Sequence, residues 1–363
     1  MNFDIYLRLQ KLYQSNDFEK LLEDSNSLLF LKIRSIARKE LLIEFANVLE
    51  INSNQNINSL VKEISNHQKT EIIIDSFINK KYFEEKKHRE QYKNQLISEL
   101  YKLRVFDWGG LYQNNLEKTI IDNYVKKIRN FDVLIDKVDN EIHQSLKGYV
   151  FCSWFNHWTS ILIEDIFKDH KRVLPTVGLI KKVDFFIDNI PFDLKVTYFP
   201  EGFMKLKRKE RGLKPELTEL KRIAKNNNIN FDRSQKSRFL LQELLIRFSE
   251  THLEEVKKEI ENFHKTRWDI IKDTIQNKRK LIKWLYEEQG ERRFDSSNRL
   301  FLVLIDQNNL EESWKLKRNI DFLKENIKFY LDNFKITENL RISFIWKGKK
   351  YSPIADILFI VKH

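Results

Sequence analysis

Lys182-Val183-Asp184-Phe185-Phe186-Ile187-Asp188-Asn189-Ile190-Pro191-Phe192-Asp193-Leu194-Lys195-Val196-Thr197 is the stretch that decides how the chain is read. Two apolar runs flank Asp188-Asn189, residue types that tolerate positive φ and so suit a two-residue hairpin turn. Counting outward pairs Ile187 with Ile190, Phe186 with Pro191, Phe185 with Phe192 and Asp184 with Asp193. The last pair is a non-hydrogen-bonded one, with Cα atoms about 4.5 Å apart. The two-residue period of a strand sets Lys195 on the same face as Asp193. Two carboxylates and an amine therefore meet in an apolar hairpin, where facing like charges destabilise a sheet unless something compensates. Lys195 supplies one positive charge. A divalent cation supplies more, and carboxylates are the hard oxygen ligands that Mg²⁺ favours.

Upstream, residues 149–169 read as a helix. Phe151, Trp154, Phe155, Trp158, Ile161, Leu162 and Ile166 recur at helical spacing, and Glu164 flanks their stripe. Arg172 to Leu179 is read as a first strand. Downstream, Leu300-Phe301-Leu302-Val303-Leu304-Ile305 reads as a buried strand, reached by the long helical crossover that a parallel partner requires.

The hairpin with its acid, acid and lysine resembles the PD-(D/E)xK nuclease superfamily, which includes many restriction endonucleases. Asp184 matches the first acid and Asp193-Leu194-Lys195 the second half of the motif; Val183 stands where the family name has proline. The resemblance spans roughly residues 148–306, and only the hairpin is specific. It implies a restriction endonuclease-like α/β fold, a mixed sheet flanked by helices in the order helix, three strands, helix, strand. It further implies that Asp184, Asp193 and Glu164, with Asp165 as the alternative to Glu164, hold Mg²⁺, for which Mn²⁺ substitutes. The Leu194 carbonyl is a further implied ligand, and Lys195 orients the nucleophile or steadies developing charge. The implied activity is a metal-dependent endonuclease hydrolysing DNA phosphodiester bonds, in restriction or phage defence. RNA and branched or transposon-end DNA are the alternative substrates, since such a hairpin fixes the chemistry and not the substrate. A non-catalytic nucleic-acid-binding protein is the alternative from another class.

Composition sets wider bounds. The chain has 363 residues, 41% hydrophobic and 13% aromatic, enough for two or three domains with sizeable cores. Its net charge of +12 favours a polyanionic partner, which the resemblance implies is double-stranded DNA. Residues 1–120 hold 18 Lys+Arg and 17 Asp+Glu, so +11 of the +12 lies in residues 121–363. Lys205, Lys207, Arg208, Lys209 and Arg211, just past the hairpin, are candidate phosphate contacts, as are Lys278, Arg279 and Lys280. The longest apolar runs are strand-sized, far from the ~20 residues of a spanning helix, which predicts no membrane partner. The single cysteine, Cys152, excludes an internal disulfide and suits the cytoplasm. Zinc-site spacing is absent, and so is a Gly-rich phosphate loop, so an ATP-driven motor is not expected. His157, on a helix between aromatic residues, is read as structural.

Along the chain, residues 1–112 read as an all-helical domain that recognises substrate or a partner, with a polar break at Asn52-Ser53-Asn54-Gln55-Asn56 and a boundary at Asp107-Trp108-Gly109-Gly110. Residues 113–147 read as a long connecting helix. Its heptad seam of Ile121, Ile128, Ile135 and Ile142, with Tyr124, Phe131 and Val138 between, is open to two readings, homodimerisation or packing on its own domain. Residues 148–363 are the nuclease-like domain. Within it, residues 234–289 read as one very long helix or two shorter ones, and a hairpin of residues 341–346 and 354–361 extends the sheet edge around a projecting basic turn, Lys347-Gly348-Lys349-Lys350.

Overall fold

A computed structural model describes residues 1–107, 116–178, 180–235, 237–288 and 296–363. The boundary expected at Trp108-Gly109-Gly110 lies outside them, as does Leu179.

The architecture is mixed α/β. Among the described residues one five-stranded sheet has the order β1-β2-β3-β4-β7, built from β1 (Val173–Pro175), β2 (Phe185–Ile187), β3 (Ile190–Tyr198), β4 (Arg299–Asp306) and β7 (Ala355–Lys362). The first three strands are antiparallel, whereas β4 runs parallel to both β3 and β7. Every residue of β4 is buried, as a central strand covered on both faces must be. One face, with Leu194, Leu300, Leu302 and Leu304, packs against the helices His143–Lys168 and Ile320–Asn333. The other, with Phe301, Val303, Ile305 and Ile357, packs against Glu201–Glu210, Glu254–Gln276 and Lys278–Glu288.

The hairpin forms in the expected register, Phe185 with Phe192, Phe186 with Pro191 and Ile187 with Ile190. Asp188 (φ 47°) and Asn189 (φ 67°) occupy its turn, the paired positive values of a type I′ turn, whose twist matches that of the strands it joins. Helices fill residues 3–100, and Asn56 ends the polar break by capping the next helix, its Oδ1 accepting from the Ser59 amide at 2.9 Å. Their core is not closed on itself: Val177, Ile180, Val183 and Phe186 belong to the same buried cluster as Tyr13, Phe18 and Phe30. The loop that leads into Asp184 is thus packed among the N-terminal helices.

Several expected elements differ. The first strand is only Val173–Pro175, because the chain then leaves the sheet to enter the N-terminal core. Residues 116–142 are not one connecting helix: a turn at 126–130 separates Ile121–Val125 from Phe131–Lys137, which continues into the long helix. Among its described residues the stretch 234–289 holds three helices, Ser237–Ser249, Glu254–Gln276 and Lys278–Glu288, broken at Glu250-Thr251-His252-Leu253 and at Asn277. The C-terminal hairpin is β5 (Phe344–Trp346) with β6 (Lys349–Tyr351), a separate two-stranded sheet. It does not extend the main sheet; β7 does so alone, drawn into parallel pairing by its apolar run. Nor does the basic turn project freely, for Lys349 Nζ lies 3.3 Å from Glu19.

Candidate active site

The site lies where β2 and β3 part. Their ladder ends at Phe185 and Phe192, beyond which β3 runs on beside β4. Asp184 therefore does not pair with Asp193 as the hairpin count requires. Its amide donates to Phe192 O at 2.8 Å, one residue short of that register, and its carbonyl accepts from Thr176 Oγ1 at 2.8 Å. The displacement turns the Asp184 carboxylate across the fork, where Oδ2 accepts from the Leu194 amide at 2.7 Å. In a strand the amide and carbonyl of one residue point the same way and neighbours alternate. Asp193 turns its amide to Asn298 O of the adjoining chain (3.0 Å), so the Leu194 carbonyl faces the Asp184 side.

Asp193 is buried and shares its face with Lys195, as the strand period requires. Lys195 Nζ donates to Asp193 Oδ1 at 2.5 Å, and Arg299 Nε lies 3.5 Å from Asp193 Oδ2. The Asp184 carboxyl is pushed up to about 7, first by burial and then by the negative charges of Glu164 and Asp193; the Leu194 amide and Lys195 only partly offset this. Glu164 thus belongs to the same electrostatic cluster, its Oε2 held by Lys168 Nζ at 3.0 Å one helical turn away.

The choice between Glu164 and Asp165 is made by packing. Asp165 is buried on another side of the helix, gripped by Arg89 through two bonds of 3.0 and 2.7 Å and by Tyr82 Oη at 3.1 Å, all from the helix Thr70–Glu90. It serves the contact with the N-terminal helices, which leaves Glu164 to face Asp184.

As donors, three carboxylates and a main-chain carbonyl suit a hard cation. The strongest observation in favour is Asp184 itself, a carboxyl whose ionisation at neutral pH calls for more positive charge than Lys195 brings. The arrangement is not yet a coordination shell. Among the described residues no three acidic, histidine or cysteine side chains converge around one point, because Asp193 and Glu164 are turned onto Lys195 and Lys168.

The expected phosphate contacts divide. Lys205, Lys209 and Arg211 are exposed on or just after the helix Glu201–Glu210, Arg211 lying 3.5 Å from Asp273, and Lys205 lines a cleft of about 720 Å³ together with Thr197 and Tyr198 of β3. Lys207 and Arg208 are buried: Lys207 bonds Glu210, while Arg208 bonds Glu219 and donates to Lys214 O at 2.7 Å. Both hold the helix in place, a correction to their assignment as phosphate contacts. In the other basic run, Lys278 Nζ sits 2.6 Å from buried Asp356, and Arg279 donates to the carbonyls of Asn339 and Arg341. Those two have protein partners; Lys280, the last of that run, is exposed.

Sequence reasoning missed Arg299 and Lys168. Arg299 was visible as a charge opening an otherwise apolar buried strand, although its partner emerges only from the parallel register of β3 with β4. Lys168 stands four residues after Glu164, the spacing of a helical ion pair.

No family model, curated protein or solved structure matches the chain.

Proposed function

We propose that the chain is a metal-dependent nuclease of PD-(D/E)xK type, acting on DNA in the cytoplasm, in restriction or phage defence. The observation that carries this is at the β2/β3 fork, where Lys195 bonds Asp193 and the charges of Asp193 and of Glu164 from the preceding helix bear on buried Asp184. The element order supports it: a helix, three antiparallel strands, a helical crossover and a parallel strand, as the resemblance implies. Asp184, Asp193, Glu164 and the Leu194 carbonyl would hold Mg²⁺, which when bound would supply Lewis-acid activation of the phosphate and of water. Lys195, released from Asp193, orients the attacking water or steadies charge on the phosphate. Arg299 helps to hold the Asp193 carboxylate in place. Lys205, Lys209 and Arg211 bind the strand backbone, contributing affinity that falls with salt and carries no sequence information.

Non-catalytic nucleic-acid binding is a second reading, favoured by one observation: Asp193 and Glu164 already have protein cations, Lys195 with Arg299 and Lys168. Cleavage decides between them. Purified protein is expected to cut supercoiled plasmid with Mg²⁺ and not with EDTA, with labelled RNA assayed in parallel to set the substrate. Lys195→Ala is expected to bind DNA with wild-type affinity while cutting at least ~100-fold more slowly. Salt-sensitive binding with no cutting of either substrate would establish the second reading, and wild-type nicking by Lys195→Ala would remove that residue from the chemistry.

A further inference from the structure

Residues 116–151 carry an apolar surface that none of the other described residues covers. Tyr124 Oη donates to Glu141 at 3.3 Å, so the limb before the turn at 126–130 lies beside the limb after it. Among the described residues the segments from Leu116 to Ile142 pack extensively only on one another and on the start of the His143–Lys168 helix. Val125, Phe131, Ile135, Val138, Leu146 and Val150 are 41–72% exposed. The last five recur at helical spacing along one limb, and single exposed apolar residues need no explanation whereas a contiguous stripe does. Together they present on the order of 600 Å² of apolar surface, at the upper end of what a monomer leaves bare and near one side of a specific interface.

Charge selects the occupant. Residues 116–151 hold six acidic and six basic side chains, net zero in a chain of net +12. A polyanion therefore has no electrostatic reason to bind here. The charges are also segregated: Lys126, Lys127 and Arg129 crowd the turn, and Asp132, Asp136, Asp139 and Glu141 follow it. Their present partners are exposed pairs one turn apart, Asp122 for Lys126 and Lys137 for Glu141, which are worth little. A two-fold interface must be complementary to itself. Two such arms laid antiparallel bring their apolar stripes together and set the basic turn of each beside the acidic limb of the other. We propose that residues 116–151 form the interface of a homodimer, arm against arm. The proposal stands independently of the nuclease activity.

Sedimentation equilibrium of the full chain tests it. The expected mass is twice 44.1 kDa, and Phe131→Asp with Val138→Asp is expected to give the monomer mass with unchanged circular dichroism and Tm, since both side chains are exposed in the single chain. Lys126→Glu with Lys127→Glu is expected to weaken the dimer by about ten-fold or more, and adding Asp132→Lys with Asp136→Lys to restore it. A wild-type protein that stays monomeric at its highest soluble concentration overturns the proposal, as does a dimer that survives Phe131→Asp with Val138→Asp.

Discussion

A carboxyl that half-ionises near pH 7 makes Asp184 the most informative residue of the chain. With its folded pKa raised above the unfolded value near 3.8, protonation favours the native state. In metal-free protein this contribution is fully present below about pH 4 and is lost as pH rises through about 7. Asp184→Asn removes the titration. The variant is therefore expected to match the wild type near pH 4 and to exceed it in Tm by pH 8, a gap bounded at about 4 kcal/mol by a shift of this size; thermal melts in EDTA across that range are the check, and parallel profiles would mean that Asp184 is not strained. Glu164 and Asp165 give a second contrast. Glu164→Gln is expected to abolish cutting with little change in Tm, while Asp165→Asn, which disrupts a partly buried pair of hydrogen bonds with Arg89, is expected to cost about 2–4 kcal/mol of stability. Melting and plasmid cleavage on the same two proteins separate those roles, and a reversed pattern would reassign them. Asp184, Asp193 and Lys195 were legible in sequence because alternation and turn chemistry are local. Which neighbouring acid faces the site was not, since it depends on where the Thr70–Glu90 helix docks.

Among the elements, the hairpin and the long helix were legible and the loop between Pro175 and Asp184 was not. Val177 read as part of the first strand and Val183 as part of the hairpin, yet both, with Ile180 between them, are spent on the N-terminal core. Tertiary burial there outweighs local preference for a strand. Lys181 N donates to Tyr13 Oη at 2.6 Å, Arg38 donates to Val177 O at 3.1 Å, and Lys32 Nζ reaches Asn189 Oδ1 in the hairpin turn at 3.3 Å. Gly178 lies so close to Ser35 O that a Cβ would collide with that backbone oxygen. Gly178→Ala is accordingly expected to destabilise by about 1–3 kcal/mol and to lower cutting through displacement of Asp184; a Tm equal to wild type would show that the loop is not clamped. The C-terminal hairpin misled for a related reason, because the partner of β7 is β4, distant in sequence, and no local pattern names it.

At the scale of the molecule, charge and shape divide the work. The excess of +11 in residues 121–363 lies on the part that holds the candidate site, and the arm of residues 116–151 contributes none of it. Among the described helices none is long and apolar enough to cross a membrane. Lys205→Glu with Lys209→Glu is expected to weaken DNA binding by about ten-fold or more at low salt and to flatten its salt dependence, since both phosphate contacts would be lost. Lys207→Ala is expected instead to lower Tm and leave the salt slope unchanged. Fluorescence anisotropy of a labelled duplex across salt concentrations reads both, and equal slopes for the two proteins would move the DNA path elsewhere. The basic excess was legible in composition; which of these cations stay free was not, because Lys207, paired with Glu210 one turn on, and Arg208, paired with Glu219 of the next helix, are buried only once the helices pack.

The central claim is that these carboxylates form a cation site, and calorimetric titration of the full chain with Mn²⁺ at pH 7 tests it most directly. Saturable binding that is lost in both Asp184→Asn and Asp193→Asn, and kept in Asp165→Asn, is the expected result. Absence of saturable binding in the wild type, or binding indifferent to Asp184 and Asp193, would contradict it.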